Sequence, residues 1–261
     1  MMITHCIIMS SSYSLGTRIA LDYIMNTDEI QKKLEDDSKK IIQICGKDVS
    51  MSTHLIQAED NTWEAVCNAD HFFKGIEVLP NVDNFIELIQ KDRKLQGIDV
   101  AKYILSKFSC TQLKLQKLVY LCYADYLCNT RKGLFTDKIF AYKYGPVVDT
   151  VYSNYKKYGY KPIEKERKNI DNNGVLEMPA KSRILFAEDG LEKIQSIEET
   201  LKKYGLFTAN ELVDVTHRKD TPWDKTPKKN WPLKVQIEDE IIKKYHKNEF
   251  IESVDYFINK K

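Results

Sequence analysis

The sequence predicts an α+β fold, predominantly helical, in which a helical domain with a small β element follows a small mixed α/β N-terminal domain. Three observations carry that reading. Ile98, Ala101, Ile104, Leu105 and Phe108 recur at spacings of three and four, as do Leu191, Ile194, Ile197, Leu201 and Tyr204, which marks one-sided helices. The segment from Leu115 to Leu127 is apolar on most sides, as expected of a helix at the centre of a bundle. β-Branched runs such as Ile41–Cys45 and Ile139–Tyr144 are short and end at glycine, which suits strands.

Along the first unit, residues 1–92, Met1–Met9 is apolar without a basic leader or a small-residue cleavage site, so a buried strand is expected in place of a signal peptide. Leu15–Met25 is read as a short helix carrying Leu15, Ile19 and Ile24. Asn26 and Glu29 form a capping pair for a charged helix through Lys40, and Ile41–Cys45 is read as a strand stopped by Gly46. Helices near Asn61–Phe73 and Asp83–Lys91 complete the unit, and the polar run Gln90–Gly97 is the junction.

The second unit, residues 93–261, opens with the Ile98–Phe108 helix. Ser109 and Gln112 have capping-box spacing for the apolar helix that runs to Thr130, and Gly133 is suited to the turn after it. Gly145 stops the Ile139–Tyr144 strand, and Pro146 is placed at the first position of a helix that carries Val147, Val148, Val151, Tyr152 and Tyr155 and ends near Gly159. Lys161–Gly174 reads as an exposed loop or hairpin turn. Gly205 closes the Leu191–Tyr204 helix, and Thr208 with Glu211 caps a short helix ending near His217. Pro222, Pro227 and Pro232 break the chain into turns around Trp223 and Trp231, before amphipathic segments at Ile237–Tyr245 and Phe250–Ile258.

Composition narrows the function. A net charge of +2 over 261 residues announces no nucleic-acid partner, and the lysine pairs (Lys156–Lys157, Lys202–Lys203, Lys228–Lys229, Lys243–Lys244) are dispersed and offset by acids. No apolar run approaches the ~18 residues of a membrane span. Cys6, Cys45, Cys67, Cys110, Cys122 and Cys128 lack paired spacing and read as buried thiols of a cytoplasmic protein.

Catalytic and metal-binding constellations are sparse. Cys67 and His71, four apart, with Cys45 and His54 upstream, are the best zinc candidates, but one C-x3-H pair does not supply the converging ligands zinc needs. His217 is available as a general base, although no nucleophile sits in a catalytic context beside it, and a helix-end structural role accounts for it. There is no phosphate-binding glycine loop among 10 glycines, and Glu164, Glu166 and Asp171 lie in a lysine-rich solvated stretch. No catalytic, cofactor-binding or metal residues are therefore assigned. Tyrosine is abundant: Tyr120, Tyr123, Tyr126, Tyr142, Tyr144, Tyr152, Tyr155, Tyr158 and Tyr160 fall close together, suited equally to a core or to a protein interface.

Three segments in fixed order carry a resemblance. They are the helix with Lys117, Leu118 and Tyr120, the run Tyr144-Gly145-Pro146-Val147 followed by Tyr152, and Thr216-His217 leading to Pro222-Trp223. Together they resemble the Panacea antitoxin domain, a family including SocA-like and phage-associated GepA-like proteins, over roughly residues 98–225. The resemblance implies a mostly helical domain with a small sheet that neutralises a cognate protein toxin, encoded by an adjacent gene, through direct binding. SocA-like members imply an alternative in which the toxin is delivered to a cellular protease. A DNA-binding regulator is a further alternative, left open by the unassigned N-terminal unit. The family-motif residues would either shape the domain or touch the partner.

Overall fold

The computed structural model describes residues 2–163, 177–227 and 234–250. Its chain divides into two compact units, Met1–Arg93 and Lys94–Lys261.

In the first unit, β1 (Ile3–Ser12) and β2 (Thr17–Ile24) form an antiparallel hairpin in register from His5↔Ile24 to Ser12↔Thr17. β3 (Ser52–Ala58) pairs antiparallel with β1 on its other side, and the two-residue β4 (Glu77–Val78) runs parallel to β2, giving the order β3-β1-β2-β4. Side chains alternate across the sheet. Cys6, Ile8, Leu21 and Tyr23 pack beneath α1 (Asp28–Cys45) and α3 (Val82–Arg93). Ile7, Met9 and Ala20 pack against α2 (Trp63–Ala69) and the 3-10 turn His71–Phe73.

Two expected elements change type here. Leu15–Met25 is strand β2 with its preceding turn, not a helix. Leu15 lies in the turn and is exposed, while Ile19 and Leu21 fill one side of the sheet and Ala20 the other. The apparent helical spacing arose from a turn residue counted with a strand. Ile41–Cys45 is the last turn of α1, not a strand: Ile41 and Cys45 are buried four apart, whereas Ile42 and Ile44 are exposed. Burial follows the helical period and overrides the β-branched local preference. Thr27, not Asn26, caps α1, with its side chain accepting the Ile30 amide.

The second unit is built around α5 (Gln112–Thr130), buried at every position from Leu115 to Leu127. Around it stand α4 (Gly97–Lys107), α6 (Asp149–Tyr155), α8 (Gly190–Tyr204), α9 (Ala209–His217) and α11 (Asp239–Tyr245), while α7 (Glu177–Leu185) packs on α4 and α8. A small sheet, ordered β6-β5-β7, joins β5 (Ile139–Tyr142), β6 (Gly145–Val148) and β7 (Val235–Gln236). Leu115, Leu118, Tyr126, Ile197, Leu201, Leu212 and Val215 belong to one continuous core.

Caps in this unit differ by a residue or two from the expected ones. Thr111, not Ser109, accepts the Lys114 amide at the start of α5, and the helix ends at Thr130 as expected, with Arg131 at φ 66° as its C-cap. The Thr208–Glu211 capping box is present in both directions. Pro146 opens no helix; it lies in β6, opposite Ala141. The turn Lys143-Tyr144 and Gly145, at φ 100°, fold the chain back along β5, so helix begins only at Asp149. β6 is an edge strand, where the missing proline amide is tolerated.

The expected turn around Trp231 and Pro232, the acids Glu164, Glu166 and Asp171, the pair Lys228–Lys229 and the segment beyond Phe250 lie outside the described residues.

Candidate functional site

The three motif segments meet at the β5–β6 turn. Lys117, wholly buried on α5, donates from Nζ to the Pro146 carbonyl at 2.9 Å. From the same helix, Gln116 accepts the Val148 amide at 2.9 Å and donates back to the Val148 carbonyl. Trp223, in the single turn α10 (Pro222–Lys225), donates its indole N–H to the Tyr142 carbonyl at 2.8 Å. His217, at the end of α9, donates from Nδ1 to the Val213 carbonyl at 2.8 Å, with Nε2 3.4 Å from the Lys143 carbonyl. Its ring lies 3.8 Å from that of Trp223. One helix and two helix ends thus grip the backbone of a single hairpin.

Gly145 is required at the centre of this grip for two reasons. Its φ of 100° is disfavoured for residues with a Cβ, and a Cβ there would stand 2.6 Å from Lys117 Nζ and 3.1 Å from His217 Cε1. Thr216 and Pro222 complete the helix stop. The Thr216 hydroxyl donates to Leu212, its carbonyl accepts from Thr221, and Pro222 occupies the first position of α10. Leu118, Tyr120 and Val147 are buried. Among the motif residues, Tyr144 and Tyr152 present large aromatic surfaces to solvent, at 56% and 37% exposure. The tyrosines divide between core and surface: Tyr120, Tyr123, Tyr126 and Tyr155 are core, whereas Tyr144, Tyr152 and Tyr160 are exposed.

Burial pulls the Lys117 ammonium down to about 7, against the opposing pull of the Glu249 carboxylate. That carboxylate belongs to a second buried cluster. His246 donates from Nε2 to Asp125 at 2.7 Å and from Nδ1 to Glu249 at 2.6 Å. Thr200 donates to Asp125 at 2.7 Å, and Tyr120 to Glu249 at 2.9 Å. Burial disfavours charge on His246, but the two flanking carboxylates outweigh it and raise the imidazole to about 9. Burial raises Glu249. Such a His–Asp–Thr chain resembles a catalytic relay, yet His246, Glu249 and Thr200 are sealed from solvent, so it fastens α8 and the chain after α11 onto α5.

Sequence reasoning missed this cluster, reading α5 as apolar and the region around His246 as an amphipathic surface. The signal was Asp125, the one carboxylate residue in a mostly apolar helix, since a buried carboxylate demands partners. The zinc candidates do not converge. Cys45 packs on the α1 side of the sheet, whereas Cys67 and His54 lie on the α2 side. Among the described residues, no three His, Cys, Asp or Glu side chains are grouped to hold a metal, and no helix is long and apolar enough to cross a membrane. All six cysteines are free thiols.

Residues 115–224 match the family model described as "Antitoxin SocA-like, Panacea domain". The chain is similar to Antitoxin SocA of Caulobacter vibrioides (strain NA1000 / CB15N), 28% identical over 165 residues that span 60% of this chain and 85% of that protein. No solved structure matches. The matched segment begins on α5 and ends just after Trp223, so it encloses the whole hairpin grip. Over residues 115–224 this chain is thus similar to the Panacea domain of SocA-like antitoxins.

Proposed function

We propose that this chain is an antitoxin that neutralises a cognate protein toxin by binding it directly, without turnover. The observation that carries this reading is the SocA-like match: the matched residues 115–224 contain all twelve motif residues, and the similarity to a named antitoxin spans most of that protein's length. The geometry supports a binding scaffold. Its buried motif side chains hold backbone, and the two exposed ones, Tyr144 and Tyr152, offer rigid aromatic area of the kind enriched at protein interfaces. Their surface is flanked by Lys143, whose ammonium lies over the Tyr144 ring, and by the Tyr142–Tyr152 ring pair.

The test is co-expression with the product of the adjacent reading frame. Rescue of growth and co-purification of the two chains are expected. A toxic neighbour that is neither bound nor relieved by this chain contradicts the reading.

A further inference from the structure

We propose that the outer edge of β3 pairs antiparallel, in full register, with β3 of a second copy of this chain, joining two four-stranded sheets into one of eight strands. Exposed edges are templates for further pairing, and folded proteins blunt them with short strands, proline or charge. Three of the four edge strands here are blunted: β4 and β7 have two residues each, and β6 contains Pro146. β3 is the exception. Its seven residues, Ser-Thr-His-Leu-Ile-Gln-Ala, include no proline and no Asp, Glu, Lys or Arg. Among the described residues, its backbone pairs with β1 alone.

The occupant follows from the strand's own symmetry. Leu55 is its central residue and is 71% exposed, on the side of the sheet where its partner Cys6 meets the α1–α3 core. Full antiparallel register between two copies sets Leu55 opposite Leu55, Thr53 opposite Gln57 and His54 opposite Ile56. Each Leu55 then covers the other, a cross-strand apolar pair. On the opposite side of the sheet, Phe72 is 46% exposed and packs against His54, so the same pairing covers a second apolar side chain. Charge selects the antiparallel direction. Before the strand, Asp48 is neutralised by Arg93, which leaves Lys47, and Glu59 and Asp60 follow the strand, so antiparallel copies bring basic and acidic ends together, whereas parallel copies align the acids.

The experiment is sedimentation velocity on the full chain across a concentration series, for the unaltered protein and for Leu55→Lys. Leu55 is exposed, so this substitution leaves the monomer's packing intact. A concentration-dependent dimer is expected, with Leu55→Lys raising its dissociation constant about tenfold or more through lost apolar cover and facing like charges. Under mild oxidation, Leu55→Cys is expected to give a disulfide-linked dimer, because that residue faces itself, while Thr53→Cys does not. A monomer at every concentration overturns the proposal, as does a dimer indifferent to Leu55→Lys. Protection of the β3 amides from hydrogen exchange only when a toxin is added also overturns it, assigning the edge to that partner.

Discussion

Gly145, Lys117 and His246 hold the most exacting positions at the scale of single residues. Gly145→Ala adds a Cβ against the Lys117 ammonium and forces a left-handed φ, so a loss of about 2–4 kcal/mol is expected in urea unfolding. Lys117 and His246 oppose each other in pH. The Lys117 ammonium titrates near 7 folded and near 10.5 unfolded, so the unfolded chain holds more protons between those values and stability rises with pH. His246 titrates near 9 folded and 6.5 unfolded, so its contribution is full below 6.5 and lost as pH rises through 9. Between about pH 7 and 9 the two slopes offset one another. Asp125, Glu249, Tyr120 and Lys117 are the groups that bear on this balance. Unfolding free energies from pH 6.5 to 9.5 should rise in His246→Asn and fall in Lys117→Met. Parallel profiles in the two variants would show that these groups do not carry the pH response.

Helices and strands were legible where burial and local preference agree. α4, α5 and α8 stand where the periodicity puts them, and the Thr208–Glu211 box caps its helix as the capping residues indicate. β2, the end of α1 and β6 were misread because in each the tertiary partner decides. β1 recruits Thr17–Ile24 into a sheet, the period-four burial of Ile41 and Cys45 extends a helix, and Gly145 turns Pro146 back along β5. Strand β3 carried no signal, since Ser52, Thr53 and His54 alternate no apolar face. At the site, the sequence named the residues of the hairpin grip without showing that they meet. Asp125 hinted at a buried cluster, but its partner could not be read from the sequence because His246 lies 121 residues away. Capping offers a direct check on element boundaries. Thr111→Ala should cost about 1 kcal/mol by removing the oxygen that accepts the Lys114 amide, and Ser109→Ala should cost little. Equal losses from both would move the start of α5 back to the expected box.

Across the second unit, the Panacea-like segment is a scaffold in which Lys117, His217 and Trp223 are spent internally, on one hairpin. On the proposed reading, the toxin is met by the surface that this hairpin and α6 present, with Tyr144 and Tyr152 at its exposed points. Substituting both by serine should leave the melting temperature within a few degrees, because exposed positions contribute little to stability. The same change should weaken toxin binding, as measured by calorimetry; unchanged affinity would place the interface elsewhere. Neutralisation by binding also differs from neutralisation by chemistry in its stoichiometry. The most direct measurement is therefore a titration of purified toxin activity with this chain, at toxin concentrations well above the dissociation constant. Loss of activity that ends at a fixed molar ratio, with intact toxin recovered from the complex, is the expected result. Complete inactivation by a small fraction of an equivalent, or no inactivation at any ratio, would contradict it.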